Sequence, residues 1–417
     1  MKKNLLRNGI IIGIFSLSAI FTSCAYHNVN ASDKLLPNSV SVAESYVIED
    51  SKAINQYNNI HLTGFALMIN DTIFFADNRG IHKTDTLFET VDTLVLNENY
   101  LDCQKSGMPM FTSLQYHNGK IYFLNRGNET NSFASSIYAM TPEGDELTKI
   151  LDTSILDTSE KEGYKKGIIT EFIVFNEKIY FNYFSSGAIL KSFDMETKEI
   201  ENFNIIDTPV LTLSPDNSAL QFSRDLTIPT HLNFENSEIN SVLPSNFGEL
   251  FDNNYLASIT YTTVSDGKIV FSSPSMLGSR IFIMNEDGYA EVIYHNEDDH
   301  IDSYLNAIGD WIYFTSTPEY FSSMSEYFLW IPENDLNTHL YRIKNDGSDL
   351  ELVYENIGNV EEGLPSIFIN LFSEDIILFK THPEEHTIYA LIRDIDTNEF
   401  IIKVINPSSD IVIDVNL

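Results

Sequence analysis

The side chains best suited to metal chemistry cluster in one string, HPEEH at residues 382–386. His382, Glu385 and His386 fit the HxxEH zinc pattern, which works only when a helix places both histidines on one face. Pro383 and the strand-forming sequences on both sides disfavour a helix. A loop-borne site would draw further ligands from a second string: His295, Asp298, Asp299 or His300. Two solvated polar loops are the simpler interpretation, and we predict no metal site and no cofactor.

A second candidate for chemistry is the aromatic-rich stretch at 317–338. Its candidate contact residues for a ligand or partner are Tyr320, Phe321, Tyr327, Phe328 and Trp330. Aromatic side chains on loops often dominate recognition, and an indole face can stack on a sugar ring. The stretch therefore predicts a surface for a protein, a peptide or a glycan. A cap over the channel or over neighbouring strands is the alternative.

Motifs for catalysis are absent from the sequence. It contains no phosphate-binding glycine loop, nucleophile elbow, EF-hand loop or CxxC pair, each of which would supply a recognisable chemistry. We therefore predict no catalytic residues and no enzyme activity.

A five-residue motif that recurs along the sequence predicts the strands that must position these residues. GKIYF at 119–123 returns as EKIYF at 177–181, GKIVF at 267–271 and DWIYF at 310–314. Each copy follows an apolar run and a tight turn, and a second hairpin with its own turn residues comes after it. The unit therefore contains four short strands. Repeats of about 40 to 50 residues with four strands are typical of β-propeller blades.

The predicted fold class is all-β, a β-propeller of seven four-stranded blades over residues 57–417. The fourth unit, at 211–243, is the least regular, so six or eight blades remain open. Segments 45–50 and 410–417 are left over from the repeats. Either could add a strand that closes the ring.

The N-terminal region predicts a targeting signal rather than a folded domain. Lys2 and Lys3 precede an apolar run too short to cross a bilayer comfortably, which is typical of a signal peptide over residues 1–23. The ending FTSC resembles a bacterial lipobox and predicts lipidation of Cys24. An ordinary secretory signal with a chance cysteine is the alternative. Residues 24–56 are polar and predict a lipidated cysteine and a flexible tether.

Charge and cysteine content limit the partners. The formal charge is −35, from 25 basic and 60 acidic residues. Because nucleic-acid binding needs Lys and Arg on phosphates, we expect no nucleic-acid partner. Lipidation of Cys24 would leave Cys103 without a partner, so no disulfide framework is predicted.

Six arginines fall in six of the predicted units: Arg79, Arg126, Arg224, Arg280, Arg342 and Arg393. The first four lie near the loop between the second and third strands, which places them on one rim of a propeller. Such a set could neutralise an acidic ligand. Local pairing with surface carboxylates is the alternative that we favour.

One repeat also resembles a known family. LYRIKNDGSDLELV at 340–353 is similar to the strand–turn–strand unit of YWTD propellers in low-density-lipoprotein-receptor proteins. The pair GDWIYFTS and LYRIKNDGSD also resembles an uncharacterised family of bacterial lipoprotein propellers. Here the signature positions read Phe314-Thr315-Ser316, so the YWTD motif itself is not kept. The resemblance implies a propeller fold and a tendency towards binding, and it carries no catalytic residues.

Together these features predict an extracytoplasmic lipoprotein, held by its lipid at the bacterial cell membrane or outer membrane. Its propeller, expected to be a monomeric domain, would recognise a protein, peptide or glycan. One alternative is a structural scaffold in an envelope complex. Another is a secreted hydrolase or lyase with its site in the propeller channel.

Overall fold

The structure is a computed structural model. It describes residues 53–60, 62, 64–76, 80–88, 90–96, 111–126, 135–153, 156, 167–184, 188–206, 211–215, 217–224, 228–250, 261–275, 278–296, 300–318, 337–359, 368–374, 376–380, 388–393, 400–406 and 411–416. The predicted signal peptide, Cys24 and Cys103 lie outside these residues. In the described ranges, no helix is long and apolar enough to cross a membrane.

The described chain is built almost entirely of short strands. The first three sheets contain β1 (Ala66–Ile69), β2 (Thr72–Ala76), β3 (Gly80–Asp85), β4 (Val91–Leu96), β5 (Phe111–His117), β6 (Lys120–Asn125), β7 (Ser136–Met140), β8 (Thr148–Asp152), β9 (Ile168–Phe175), β10 (Lys178–Phe184), β11 (Ala188–Asp194) and β12 (Ile200–Ile206). The next two contain β13 (Leu211–Leu213), β14 (Ala219–Arg224), β15 (Ile228–Asn233), β16 (Ile239–Ser241), β17 (Tyr261–Ser265), β18 (Lys268–Ser275), β19 (Gly278–Met284) and β20 (Ala290–Asn296). The last two contain β21 (His300–Ile308), β22 (Trp311–Pro318), β23 (Asn337–Lys344), β24 (Glu351–Asn359), β25 (Phe368–Leu371), β26 (Ile376–Lys380), β27 (Ile388–Arg393), β28 (Phe400–Asn406) and β29 (Ile411–Asn416).

Within the described ranges, two short helices accompany the strands, α1 (Gln56–Ile60) and α2 (Phe247–Leu250). Within each sheet the strands follow sequence order and pair antiparallel. Among the described residues, six sheets have four strands, and the sheet of β25 to β29 has five.

The residues at the turns explain why each copy of the recurring motif folds as part of a hairpin. Asn118 and Gly119 join β5 to β6 with φ angles of 46° and 76°, and His117 pairs with Lys120 across the turn. Two successive positive φ angles match the twist of the flanking strands and favour Asn-Gly and Asp-Gly pairs. Asp266 and Gly267 repeat this geometry, with φ angles of 46° and 70°, between β17 and β18.

Side chains that alternate along each strand pack into the interfaces with the two neighbouring sheets. In β6, Ile121 and Phe123 pack with residues of the first sheet. Tyr122 and Leu124 pack on the other side with residues of the β9–β12 sheet. Because each sheet buries both faces against its neighbours, the core is a series of inter-sheet layers rather than one central cluster.

The last sheet packs against the first. Phe372 and Leu378 share a buried cluster with Phe65 and Phe75. Asn370 also accepts a hydrogen bond from the backbone N–H of Ala66, at 3.1 Å. The sheets therefore form a β-propeller with four-stranded antiparallel blades, as the repeats predict.

The prediction of seven four-stranded blades needs correction at the C-terminal end. Residues 411–416 form β29, which pairs with β28 along its whole length. This segment was a candidate for a ring-closing strand, yet it extends the last sheet to five strands instead. The other candidate, residues 45–50, lies outside the described part of the chain.

Amide side chains connect the first strand of one sheet to the first strand of the next by hydrogen bonds, a connection that we call a strap. Gln115 donates to the carbonyl of Phe172 at 2.8 Å and accepts from the N–H of Val174 at 2.9 Å. Asn306 donates to the carbonyl of Ile369 at 2.7 Å. These buried bonds replace the backbone pairing that separate sheets cannot make.

Candidate functional site

The first strands of the sheets surround a common axis, and α1 lies on that axis. It contacts β1, β5, β9, β13, β21 and β25, and its Gln56, Asn58, Asn59 and Ile60 are buried. We call residues 56–60 the plug helix. At this level the propeller channel is occupied by the protein's own chain.

Three amides of the plug helix pair with the axial edges of three strands. Each amide donates to the C=O and accepts from the N–H of one strand residue. Gln56 pairs with Tyr116 in this way, donating at 3.2 Å and accepting at 2.8 Å. The corresponding distances are 2.8 and 3.1 Å for Asn58 with Val264, and 3.0 and 2.9 Å for Asn59 with Leu371. An edge strand leaves backbone groups unpaired, and burying them unpaired costs about 1–3 kcal/mol per group. The plug amides remove that cost.

A second polar group lies between the β17–β20 and β21–β24 sheets. We call the edge where the second strand of a sheet ends and the third begins the loop edge. Asp302 of β21 lies there, opposite Ser316 of β22. Ser279 and Asn296, which are paired across β19 and β20, belong to the neighbouring sheet. These four residues form what we call the Asp302 cluster.

Hydrogen bonds connect the members of the cluster through their backbone and side chains. The backbone N–H of Asp302 donates to Ser279 Oγ at 3.1 Å, and Asn296 Nδ2 donates to Ser316 Oγ at 3.5 Å. Neither carboxylate oxygen of Asp302 has a hydrogen-bond partner of good geometry among the described residues. The side chain is 0% exposed, so it is a buried carboxyl group whose nearest donors, on Ser316, Ser279 and Asn296, are not well aligned with it.

Burial raises the pKa of Asp302 to about 6, from an ordinary value of 3.8. Loss of hydration disfavours the carboxylate form. Ser316, Ser279 and Asn296 lie close enough to favour the charged form and partly offset this effect. The group therefore titrates near neutral pH.

The predicted aromatic contact residues Tyr320, Phe321, Tyr327, Phe328 and Trp330 all lie outside the described residues. The ends of their stretch are described: β22 ends at Pro318 and β23 begins at Asn337. Both ends are at the loop edge, and Ser316 of the Asp302 cluster lies two residues before Pro318. The described end of β22 therefore lies beside a buried titratable group.

The described arginines do not converge on a common site. Arg126 donates to the carbonyl of Thr170 at 3.1 Å, and Arg280 donates to that of Leu250 at 3.3 Å. Arg342 forms an ion pair with Glu351 at 2.6 Å. Arg342 thus pairs with a carboxylate, as the favoured alternative expects, whereas Arg126 and Arg280 bind backbone carbonyls instead.

The side chains of the other arginines lie outside the part of the structure that is described. Arg224 and Arg393 lie in β14 and β27, and Arg79 is outside the described residues.

A further buried acid, Glu171 of β9, has an architectural partner. It accepts a hydrogen bond from the backbone N–H of Leu211 at 3.1 Å. Burial raises its pKa well above the ordinary value, and the bond from Leu211 and the charge of Arg126 oppose that effect. Burial likewise lowers the pKa of Arg126.

The metal-site alternatives find no support among the described residues. His295 and His300 lie in β20 and β21, while residues 382–386 and 298–299 are outside the description. Within the described ranges, no group of three His, Cys, Asp or Glu side chains could hold a metal ion.

Sequence reasoning missed both features. Gln56, Asn58 and Asn59 carry no signal beyond an amide-rich composition, which reads equally well as a polar tether. Asp302 sits in HIDSYL, an ordinary strand sequence, and only its place at the start of an inner strand separates it from surface acids.

The fold defines the chain as a β-propeller protein. No known protein family matches the chain, and no curated protein matches it, so the resemblance to YWTD and lipoprotein propellers has no support from either. Similar solved structures include an oligogalacturonate lyase in complex with manganese, with 11% identity and a TM-score of 0.37 over 58% of this chain and 74% of that one. Another is a prolyl endopeptidase, with 9% identity and a TM-score of 0.43 over 73% of this chain and 49% of that one. A third is YCF48 bound to D1 peptide, with 8% identity and a TM-score of 0.46 over 75% and 87%.

These similarities correct one expectation. The sequence led to the prediction that the protein is not an enzyme, whereas the similar structures include a lyase and a prolyl endopeptidase. The absence of familiar motifs was the wrong criterion, because propeller sites are assembled from scattered positions rather than local motifs. Identities of about 10% and TM-scores below 0.5 assign no activity to this chain.

Proposed function

We propose that the protein is a cell-envelope lipoprotein, anchored through Cys24, whose propeller recognises a protein, peptide or glycan at the loop edge. The binding surface consists of the Asp302 cluster and the aromatic stretch at 317–338. The ligand supplies apolar faces to the aromatic side chains, and its binding opens the loop edge so that a ligand donor reaches the Asp302 carboxylate, which is fully buried in the free protein.

One observation carries this proposal: Asp302 is a buried carboxyl group whose oxygens lack well-formed hydrogen bonds among the described residues. A buried acceptor whose donors are poorly aligned is costly. Groups of this kind persist where function requires them, and perturbed pKa values concentrate at such places. The carboxyl lies beside the described end of β22, from which the sequence continues into the aromatic stretch.

Support for a loop-edge site also comes from the plug helix. Because Gln56, Asn58 and Asn59 already pair with the channel-facing strand edges, the channel offers fewer free polar groups at that level. The scaffold alternative has no specific observation in its favour.

The test is capture of binding partners by crosslinking in cells, followed by direct binding of the identified partner to the purified protein. Three variants are compared with the unaltered chain: deletion of residues 319–336 with β22 and β23 joined by a short turn, Asp302→Asn, and Glu291→Gln. Glu291 lies exposed on β20 in the neighbouring sheet, so its variant removes one charge without touching the cluster.

We expect the deletion to abolish binding, and Asp302→Asn to weaken it about tenfold or more at pH 7.5, the effect of one lost charge-assisted hydrogen bond. Glu291→Gln should bind normally. Binding that survives both the deletion and Asp302→Asn would refute a recognition site at the loop edge. Thermal unfolding of each variant separates loss of binding from loss of folding.

A further inference from the structure

The plug helix has the features of a bound ligand rather than of a linker. Its three amides each make a two-bond pair with one strand residue, and these strand residues occupy equivalent places near the turns that end β5, β17 and β25. Such pairs copy the way a neighbouring strand would bind an open edge. The three edges therefore form one set of hydrogen-bonding groups directed at the axis.

A five-residue helix has no independent stability. Isolated helices shorter than about 12–15 residues are marginal in water, so α1 is ordered only because the channel binds it. Ile60 contributes an apolar anchor, since it is fully buried with Ile173 and Leu220. Leu62, just beyond the helix, is buried against Tyr313 and Leu340.

Side chains link two of the three amides, Asn58 and Asn59, into one network. Asn306 donates to Asn59 Oδ1 at 2.8 Å and accepts from Asn55 at 3.0 Å. Asn58 donates to Asn55 Oδ1 at 2.9 Å. Buried polar networks of this kind are cooperative, so a break at one member weakens the others. Asn306 also straps β21 to Ile369, which connects the plug to the ring.

We propose that the axial edges of β5, β17 and β25 form a binding site for a short amide-bearing segment, which the plug helix occupies in cis and leaves only as one unit. The chemical class of ligand is a peptide whose Gln or Asn side chains pair with strand backbone. This proposal concerns the channel and is independent of the loop-edge site.

The first experiment uses the unaltered protein. Hydrogen exchange at low urea, read at residue level by mass spectrometry, follows the backbone N–H groups of Tyr116, Val264 and Leu371, which donate to the three plug amides. Release as one unit requires that all three share one opening equilibrium and one dependence on urea. Three different dependences would overturn the proposal.

The second experiment removes two of the three amides. In Asn58→Leu combined with Asn59→Leu, exchange should become about tenfold faster or more at all three sites. That includes Tyr116, whose own partner Gln56 is unchanged. Continued protection of Tyr116 would show that the plug does not move as a unit. The exposed Asn240→Leu in β16 is the matched control and should leave all three sites unchanged.

The third experiment tests binding in trans. A synthetic peptide of residues 53–65 is added to the double variant, in which the cis plug is weakened. Saturable recovery of protection at Val264 and Leu371 is the expected result. The same peptide with leucine at positions 56, 58 and 59 should have no effect. Equal recovery with both peptides, or with neither, would overturn the amide-specific site.

Discussion

Replacing Asp302 by asparagine should stabilise the protein, and the gain should grow with pH. The pKa of this carboxyl is about 6, against an ordinary value of 3.8, so the folded state holds the proton more tightly than the unfolded chain. Below about pH 3 both states are protonated and the carboxyl has little effect. As pH rises through the window between these values, the folded state becomes less stable, and above it the loss is constant.

The magnitude follows from the same two values. Linkage gives a destabilisation of about 1 kcal/mol at pH 4.5 and about 3 kcal/mol at pH 7.5 for the aspartate. Asparagine has nearly the same shape and carries no charge, so it avoids this loss at every pH. The free energy of unfolding of Asp302→Asn should therefore exceed that of the unaltered protein by about 2 kcal/mol more at pH 7.5 than at pH 4.5.

Urea denaturation at both pH values measures this difference directly. The slope against urea should not change, because the substitution alters neither the size nor the compactness of the fold. Glu291→Gln controls for the loss of one negative charge from a strongly acidic chain. A gain that is equal at both pH values, or a loss at pH 7.5, would refute a buried carboxyl that titrates near neutral pH.

Two further substitutions test the packing of the ring and of one sheet. Gln115→Leu leaves the N–H of Val174 and the carbonyl of Phe172 unpaired between two sheets. We expect the free energy of unfolding, measured by urea denaturation, to fall by about 2–3 kcal/mol. A fall below about 0.5 kcal/mol would contradict a stabilising role for these two bonds. Arg342 stacks 4.1 Å from the Trp311 ring centre, and Arg342→Lys should cost about 1 kcal/mol and shift tryptophan fluorescence, because lysine keeps the charge but loses the planar contact. An unchanged spectrum would contradict the stacking.

The repeated hairpins could be predicted because their information is local. Asn118 and Gly119 specify a turn by their own conformational preferences. The strand that follows is recognised from the alternation of its side chains, whichever sheets lie beside it. The five-stranded last sheet was harder to predict. Nothing in residues 411–416 says whether they pair with β28 or with the first sheet, since both edges present the same backbone groups.

The plug helix and the Asp302 cluster could not be predicted from single positions. Asn58 and Val264 are far apart in the sequence, and their pairing depends on how many sheets separate β1 from β17. The burial of Asp302 depends in the same way on Ser279 from the neighbouring sheet. Such sites follow from ring geometry, which the strand pattern indicates only in outline.

Comparison of the two buried acids explains why the proposed binding site includes Asp302 and not Glu171. The Glu171 carboxylate accepts from the N–H of Leu211 in the next sheet, so it performs the same strapping role that Gln115 performs one sheet earlier. Glutamine keeps an oxygen for that bond, and Glu171→Gln should therefore fold normally and bind the loop-edge partner as well as the unaltered chain does. Neither oxygen of Asp302 makes a well-aligned hydrogen bond among the described residues, although Ser279, Asn296 and Ser316 lie close to it, so its carboxyl group holds the strands together less firmly than that of Glu171. If partner affinity, measured on the purified variants, fell equally for Glu171→Gln and Asp302→Asn, burial of charge rather than recognition would account for both acids.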